Sequence, residues 1–299
     1  MTGVKSRQDK GFTAAAHMVM IVLTLLALAP FILLVSGSLT ENNTAIKYGY
    51  SFWPRVFSLD AYKYIGTEWA QIGRAYGMTL FVTVVGTVLA ILIVSLLAYG
   101  LAQSDVPGMK IMLLLIVFTM LFNGGIVSSY MIYTNVFHIK NTVWALIFPN
   151  LLLNGFTVML VKNYIQQSIP KELTEAAEID GCNQLRLFFK IVMPLSTPIL
   201  ATVGLLAAVA YWNDWTNGLY YISDAKLYTV QQLLNEMNNN IQFLTSNAAA
   251  SNVIGTAADI PSASIRMAIA VVAILPIIII YPFFQKYFAK GITMGAVKG

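Results

Sequence analysis

Six long apolar stretches dominate this sequence, and they restrict the chain to folds that lipid can surround. A helix needs about 20 mostly apolar residues to cross the hydrocarbon core of a bilayer. The stretches that reach or approach this length are Ala14–Val35, Tyr76–Leu101, Met109–Tyr133, Thr142–Val161, Ile199–Trp215 and Ile265–Phe288. Only 10% of the 299 residues are charged, whereas a soluble domain carries roughly 25%. We therefore predict an all-α, polytopic membrane protein with six transmembrane helices over residues 14–288.

The first apolar stretch follows several basic residues, a pattern that also begins secretory signal peptides. Ala14–Val35 is longer than the apolar region of a signal peptide, which is about 7–15 residues. No convincing pair of small residues for cleavage ends it. We expect a retained first span that follows a short tail of residues 1–13.

The positions of lysine and arginine predict the orientation of the chain, because loops on the cytoplasmic side carry an excess of them. With both termini in the cytoplasm, the inner side holds eleven basic and six acidic residues, and the outer side holds seven of each. The net charge of +5 then lies entirely on the inner side. We expect cytoplasmic termini, a C-terminal tail at 289–299 and outer loops at 37–75 and 218–264. The charge reflects topology, so no nucleic-acid partner is expected.

The sequence offers little for metal, redox or hydrolytic chemistry. Its single cysteine, Cys182, cannot form an internal disulfide, and His17 and His138 have no neighbours at metal-ligand spacing. No phosphate-binding loop of the form GxxxxGK[ST] is present, so the chain is not predicted to bind ATP. We expect a non-catalytic protein that holds no metal and no cofactor.

The most polar, charge-mixed segment, residues 168–196, lies between the fourth and fifth predicted spans and therefore on the cytoplasmic side. Pro170 suits the first turn of a helix, and Gly181 suits its end. The spacing of Leu173, Ala176, Ala177 and Asp180 places them on one face. A second, more apolar helix follows, with Leu185, Phe188, Phe189 and Val192 available to pack on the bundle.

Within this segment, residues at fixed offsets resemble the EAA loop of the permease subunits of bacterial ATP-driven importers. They are Glu175, Ala176, Ala177, Gly181, Ile191 and Pro194. Met193 stands where the family usually has leucine, a swap of similar volume. The C-terminus YPFFQKYFAKGITMGAVKG and the segment SLLAYGLAQSDVPGMK resemble the carbohydrate-uptake, maltose-permease-like branch. The stretch 123–150 is similar to a subgroup associated with complex oligosaccharides.

The resemblance implies a type I ABC importer permease in the bacterial cytoplasmic membrane. It implies a heterodimer with a second EAA-type permease, two partner ATPase subunits that bind ATP and Mg, and a solute-binding protein approached by loop 218–264. The residues implied to couple the permease to an ATPase are Glu175, Ala176, Ala177, Asp180, Gly181, Ile191 and Pro194. The C-terminal residues implied to contact the ATPases are Thr293, Gly295, Val297, Lys298 and Gly299; ordinary membrane anchoring is the alternative for this tail.

The sugar path is predicted from residue types alone, since aromatic faces, amides and hydroxyls hold sugars. The candidates are Tyr211, Trp212, Asn213, Asp214 and Trp215, followed by Asn123, Tyr130, Tyr133 and Asn154. An aromatic belt at the membrane interface is the alternative for the first group. Three further functions stay open: a permease for a non-sugar solute, an ion-coupled carrier, and a non-transporting membrane receptor or scaffold. Such a carrier places ionisable residues within its spans, and spans two, three, four and six have none near their centres.

Overall fold

The computed structural model of the chain describes residues 7–103, 106–246 and 262–296. In chain order the helices are α1 (Arg7–Ser38), α2 (Asn42–Tyr48), α3 (Asp60–Thr67), α4 (Trp69–Ala102), α5 (Met109–Leu121), α6 (Gly125–Met131), α7 (Trp144–Ile147), α8 (Gly155–Ser168), α9 (Lys171–Ile179), α10 (Gln184–Leu187), α11 (Met193–Leu195), α12 (Thr197–Trp212), α13 (Thr216–Tyr221), α14 (Val230–Ser246) and α15 (Ser262–Ala296). The remaining helical segments are two π-helical turns, Ile132–Val136 and Phe188–Val192, and a 3-10 turn, Ala225–Leu227. These described residues form no strand beyond one isolated bridge between Thr40 and Phe57, which confirms the all-α prediction.

Within the described part of the chain, two helices are long and apolar enough to cross a bilayer: residues Gly11–Ser38 of α1, and α4. A third span results if Gln184–Leu195 and Thr197–Trp212, which meet at a bend of 82°, are counted together. Met109–Leu121 and Ala263–Ile279 are shorter apolar helices. The apolar side chains of α1 are exposed to its surroundings, which suits a helix solvated by lipid.

Two predicted spans are interrupted, so the expectation of continuous helices there is wrong. The helix predicted over 109–133 ends at Leu121 and begins again at Gly125. Asn123 accepts a hydrogen bond from the Gly125 amide at 2.8 Å, and Gly125 has a φ of +78°; both stabilise a turn. The helix predicted over 142–161 is interrupted between α7 and α8, where Pro149 precedes Asn150 with a φ of +60°. The predicted outer loops, in turn, contain helices α2, α3, α13 and α14.

The chain divides into two compact units. The first consists of Met1–Trp69 and Glu236–Leu275, and the second of Ala70–Asn235 and Pro276–Gly299. In the first unit, the Ser264 hydroxyl donates to the Thr40 carbonyl at 2.6 Å and the Glu41 amide donates to the Val56 carbonyl at 3.0 Å. These bonds attach the start of α15 and the segment before α3 to the end of α1.

Helix α4 provides the main packing surface of the second unit. Near the end of α4 at Ala102, Val94 and Ala98 belong to one buried cluster with residues of α8, α10 and α12. Farther from that end, Val82 and Ala90 belong to a second cluster with α7 and Tyr211. The small residues Gly86 and Gly204 allow close approach: a side-chain carbon on either would lie within 3 Å of Tyr211 or Ile91, respectively.

Candidate coupling site

Helix α9 is a nine-residue helix whose two ends are set by local sequence. Pro170 precedes it with an extended backbone (φ −61°, ψ 136°), and Glu172 lies in the first turn, where a negative charge favours the helix dipole. At the other end, the Gly181 amide donates to the Glu178 carbonyl and the Cys182 amide donates to the Ala177 carbonyl, both at 2.9 Å. This pair of bonds is a Schellman cap. It requires the left-handed conformation that Gly181 adopts, with a φ of +79°.

Few contacts attach α9 to the rest of its unit. None of its residues is buried, and Ala177 is the member that packs, half-buried, against the cluster shared by α4, α8 and α10. Leu173, one turn before Ala177, is 42% exposed, and Ile179, on the side away from Ala177, is 86% exposed. The predicted face is therefore divided: Ala177 turns inward, whereas Ala176 and Asp180 are exposed.

The segment after Gly181 holds the loop in place. Asn183 accepts from the Arg186 amide at 2.8 Å and so caps α10. Leu187, Phe188 and Val192 are buried, and the Phe188 ring lies 5.5 Å from the Tyr99 ring of α4. The prediction that the second helix packs on the bundle holds for Phe188 and Val192, but Leu185 and Phe189 are exposed. Of the remaining predicted coupling residues, Ile191 is half-buried, and Glu175 and Pro194 are exposed.

A polar bridge joins α9 to α4 through the side-chain amide of Gln184. Its nitrogen donates to Glu178 Oε1 at 2.6 Å. Its oxygen accepts from the Tyr99 hydroxyl at 2.6 Å and from Gln103 Nε2 at 2.9 Å. Sequence reasoning missed Tyr99, Gln103 and Gln184. Gln184 lies 81 and 85 positions from Gln103 and Tyr99, and residue spacing carries no signal of such a contact.

A groove of about 560 Å³ separates α9 from the ends of α4 and α8. Glu175 and Glu178 line it from α9, and Gln166 lines it from α8. Gln166 also donates to the last carbonyl of α4, at Ala102, over 3.2 Å. The other lining residues are Tyr99, Ala102, Gln103, Val106, Ile165, Ile169, Lys171, Thr174 and Val192.

The predicted sugar-path residues around Tyr211 occupy different environments. Tyr211 is 2% exposed, and its hydroxyl donates to the Ile147 carbonyl at 2.9 Å. Trp212 is also buried. Asp214 accepts from the Thr216 and Asn217 amides at 3.1 and 3.3 Å and so stabilises the start of α13, whereas Asn213 and Trp215 are exposed.

The second set of sugar-path candidates includes two asparagines whose side chains accept hydrogen bonds from backbone amides. Asn123 accepts from the Gly125 amide, and Asn154 caps α8 by accepting from the Phe156 amide at 2.9 Å. Tyr130 and Tyr133 lie together, with their rings 5.7 and 6.0 Å from the ring of buried Tyr221. Lys140 donates to the Tyr130 hydroxyl at 3.0 Å.

Of the C-terminal candidates, Thr293 and Gly295 belong to the last turns of α15. Val297, Lys298 and Gly299 lie outside the described residues. Within the described ranges, no three His, Cys, Asp or Glu side chains are grouped so that they could hold a metal ion.

The described residues combine apolar helices of membrane length with the short, exposed helix α9. Residues 106–294 match the family of binding-protein-dependent transport system inner membrane components. The match covers more than half of the chain, which therefore belongs to this family. The family predicted from the EAA-like spacing is thus confirmed.

Relatives and a solved structure agree with this assignment. The chain is 37% identical to the polygalacturonan/rhamnogalacturonan transport system permease protein YtcP of Bacillus subtilis, over 94% of this chain and 96% of that protein. It is 36% identical to protein LplC of Bacillus subtilis, over 92% and 90%. A bacterial ABC transporter involved in the import of the acidic polysaccharide alginate has a chain with a TM-score of 0.79 and 27% identity, covering 96% of this chain and 100% of that one. The chain thus has the fold of an ABC importer permease.

Proposed function

We propose that this chain is a permease subunit of an ATP-driven importer that takes up a carbohydrate, in particular an oligosaccharide. Relatives that transport polygalacturonan and rhamnogalacturonan, and the similarity to an alginate importer, support a sugar substrate. Because alginate is acidic, charged oligosaccharides are the first substrates to test. Membership in a binding-protein-dependent family speaks against the ion-coupled carrier. A permease for a non-sugar solute is the remaining alternative.

The observation that carries this proposal is helix α9, which is rigidly capped and almost unburied. A short helix of this kind suits the transmission of rigid-body movement between subunits. Its exposed side, with Leu173, Ala176 and Ile179, is the surface that docks in a cleft of an ATPase subunit. Ala177 and Gly181 have different roles: Ala177 packs α9 against the bundle, and Gly181 ends the helix.

The proposal includes the partners that this family's mechanism needs. A second EAA-type permease completes the translocation path, two ATPase subunits bind ATP and Mg, and an extracytoplasmic binding protein delivers the sugar. This chain itself catalyses no reaction. Residues 293–299, with Thr293, Gly295, Val297, Lys298 and Gly299, contact the ATPases.

The proposed topology has six spans with both termini in the cytoplasm, as the distribution of lysine and arginine indicates. It places α9 and the groove beside it on the cytoplasmic side of the cell membrane, where ATP is available. Trp215, which is exposed, and Tyr133 are then sugar-path candidates whose side chains make no hydrogen bond to the backbone of the described residues, whereas the Asn213 amide donates to the Val209 carbonyl at 3.0 Å.

Reconstitution of the complete importer in lipid vesicles tests this function. The chain is purified with its second permease and ATPase subunits, and ATP hydrolysis is measured with the binding protein. We expect acidic oligosaccharides, such as oligogalacturonides, to stimulate hydrolysis and to accumulate inside the vesicles. Stimulation by amino acids or peptides, and by no carbohydrate, would instead establish the non-sugar permease.

A further inference from the structure

We infer that Gln184 is a positioning residue that transmits the movement of α9 to α4 through the bridge Glu178–Gln184–Tyr99. This inference rests on the proposed coupling function. It assigns a role to three residues that lie outside the EAA-like spacing. The bridge converts a contact at the surface of α9 into a displacement of a helix long enough to cross the membrane.

The neighbours of Gln184 determine which way the oxygen and the nitrogen of its side-chain amide point. The carboxylate of Glu178 accepts hydrogen bonds, so it fixes the nitrogen of the amide on its side. The oxygen then faces α4 and accepts from both Tyr99 and Gln103. The bonds to Glu178 and from Tyr99 are short, at 2.6 Å each, and the bond from Gln103 has an ordinary length of 2.9 Å. The bond to the carboxylate is of the stronger, charge-assisted kind.

The bridge matters because little else attaches α9 to α4. The groove of about 560 Å³ lies between them, and α9 has no buried residue. By contrast, Tyr99 belongs to the buried cluster and its ring packs against Phe188. A pull on α9 therefore reaches the interior of the bundle through Glu178 and Gln184, besides Ala177 and the chain that continues through Cys182 to α10.

A reciprocal exchange of the two side chains tests the inference in the complete reconstituted importer. Gln184→Glu places a second carboxylate beside Glu178, and like charges at this distance repel. In the double variant Glu178→Gln/Gln184→Glu, the new amide donates to the new carboxylate, which still accepts from Tyr99 and Gln103. We expect Gln184→Glu to retain its ATPase subunits but to lower binding-protein-stimulated hydrolysis and uptake about tenfold. The double variant restores both to within about twofold.

A matched control separates the bridge from a general effect of added charge. Gln167→Glu adds the same charge on α8, where Gln167 is exposed, and we expect wild-type uptake. Wild-type uptake by Gln184→Glu, or a double variant no better than the single one, would overturn the inference. Loss of the ATPase subunits from Gln184→Glu would also overturn it, because Gln184 would then act in docking. The coupling proposal itself fails separately, if variants on the exposed side of α9 keep normal ATPase binding and uptake.

Discussion

The ring of Tyr211 lies directly on the backbone of Gly86, where a side-chain carbon on the glycine would come 2.5 Å from Cζ of the tyrosine. Because position 86 is a glycine, α12 and α4 approach each other more closely than any other residue type at this position would allow. Real side-chain carbons almost never approach other atoms within 3 Å, so even one methyl group requires the buried ring or the two helices to shift.

Replacement of Gly86 by alanine should therefore destabilise the protein by about 1–3 kcal/mol, the usual cost of overpacking. Gly77→Ala on the same helix is the matched control, since no atom lies within 4 Å of the added carbon. The control should be neutral or slightly stabilising, because alanine favours helix. Thermal unfolding of the two purified variants in detergent checks the difference, and equal Tm values would contradict the contact.

Thr79 and Thr83 provide a second matched pair on α4. The Thr79 hydroxyl donates to the Ala75 carbonyl at 2.8 Å and accepts from the Val230 amide at 2.9 Å, so it holds the start of α14. Thr79→Val leaves a buried amide unpaired and should cost about 1–3 kcal/mol. The Thr83 hydroxyl is buried and has no partner among the described residues, so Thr83→Val should be neutral or stabilising. Unfolding midpoints measured side by side test this order; a reversed order would count against it.

Gly181→Arg should prevent ATPase binding while the protein still inserts in the membrane. The left-handed backbone of Gly181 costs about 1–2 kcal/mol for other residues, and the large side chain would stand at the end of α9, the helix proposed to dock. Gly108→Arg is the control, because Gly108 also has a positive φ, +87°, and open space around it but lies before α5. Co-purification of the ATPase with each variant is the measurement. Equal recovery with both would remove Gly181 from the coupling site.

Ile179→Asp should weaken ATPase binding without affecting the stability of the permease. The side chain is 86% exposed, so its removal from the surface leaves no cavity. An aspartate at a docking surface would be buried on binding, which is costly for an unpaired charge. We expect at least tenfold weaker ATPase binding at an unchanged Tm, and near-normal binding by Ile179→Leu. A lowered Tm would show that Ile179 supports the fold instead.

Tyr211 and Trp215 should respond differently although they are close in sequence. Tyr211→Phe removes the hydrogen bond to the Ile147 carbonyl and should destabilise the protein by about 1 kcal/mol without changing the affinity for sugar. Trp215→Ala removes an exposed aromatic face and should raise the sugar concentration needed for half-maximal uptake severalfold. Uptake titrations and unfolding curves on both variants separate the roles. An unchanged titration for Trp215→Ala would remove it from the sugar path.

Features that depend on neighbouring residues in the chain could be predicted from the sequence. The start of α9 after Pro170 and its end at Gly181 follow from backbone preferences of proline and glycine, and both were expected within a residue. The second helix was also expected, although its buried face was assigned too broadly, since Leu185 and Phe189 are exposed.

Features that depend on residues far apart could not be predicted. The residue type of Tyr211 predicts a place on the sugar path, which stays a prediction, but nothing in the spacing indicates the room that Gly86 leaves on α4 for its ring. Periodicity also grouped Ala176 with Ala177, whereas the position of the buried cluster decides which of the two turns inward. The turn at Asn123–Gly125 interrupts an apolar run whose length alone predicted one continuous helix.

The exposed position of α9 has a consequence for how such importers can be modified. Its shape depends on a glycine cap and one inward alanine, so the side chains on its outer face can be exchanged without repacking anything behind them. If α9 docks on the ATPase as proposed, one or two turns of this helix determine which ATPase the chain can bind. Replacing Leu173, Ala176, Ile179 and their exposed neighbours with the corresponding residues of another permease would make this chain bind that permease's ATPase. The transported solute would stay the same.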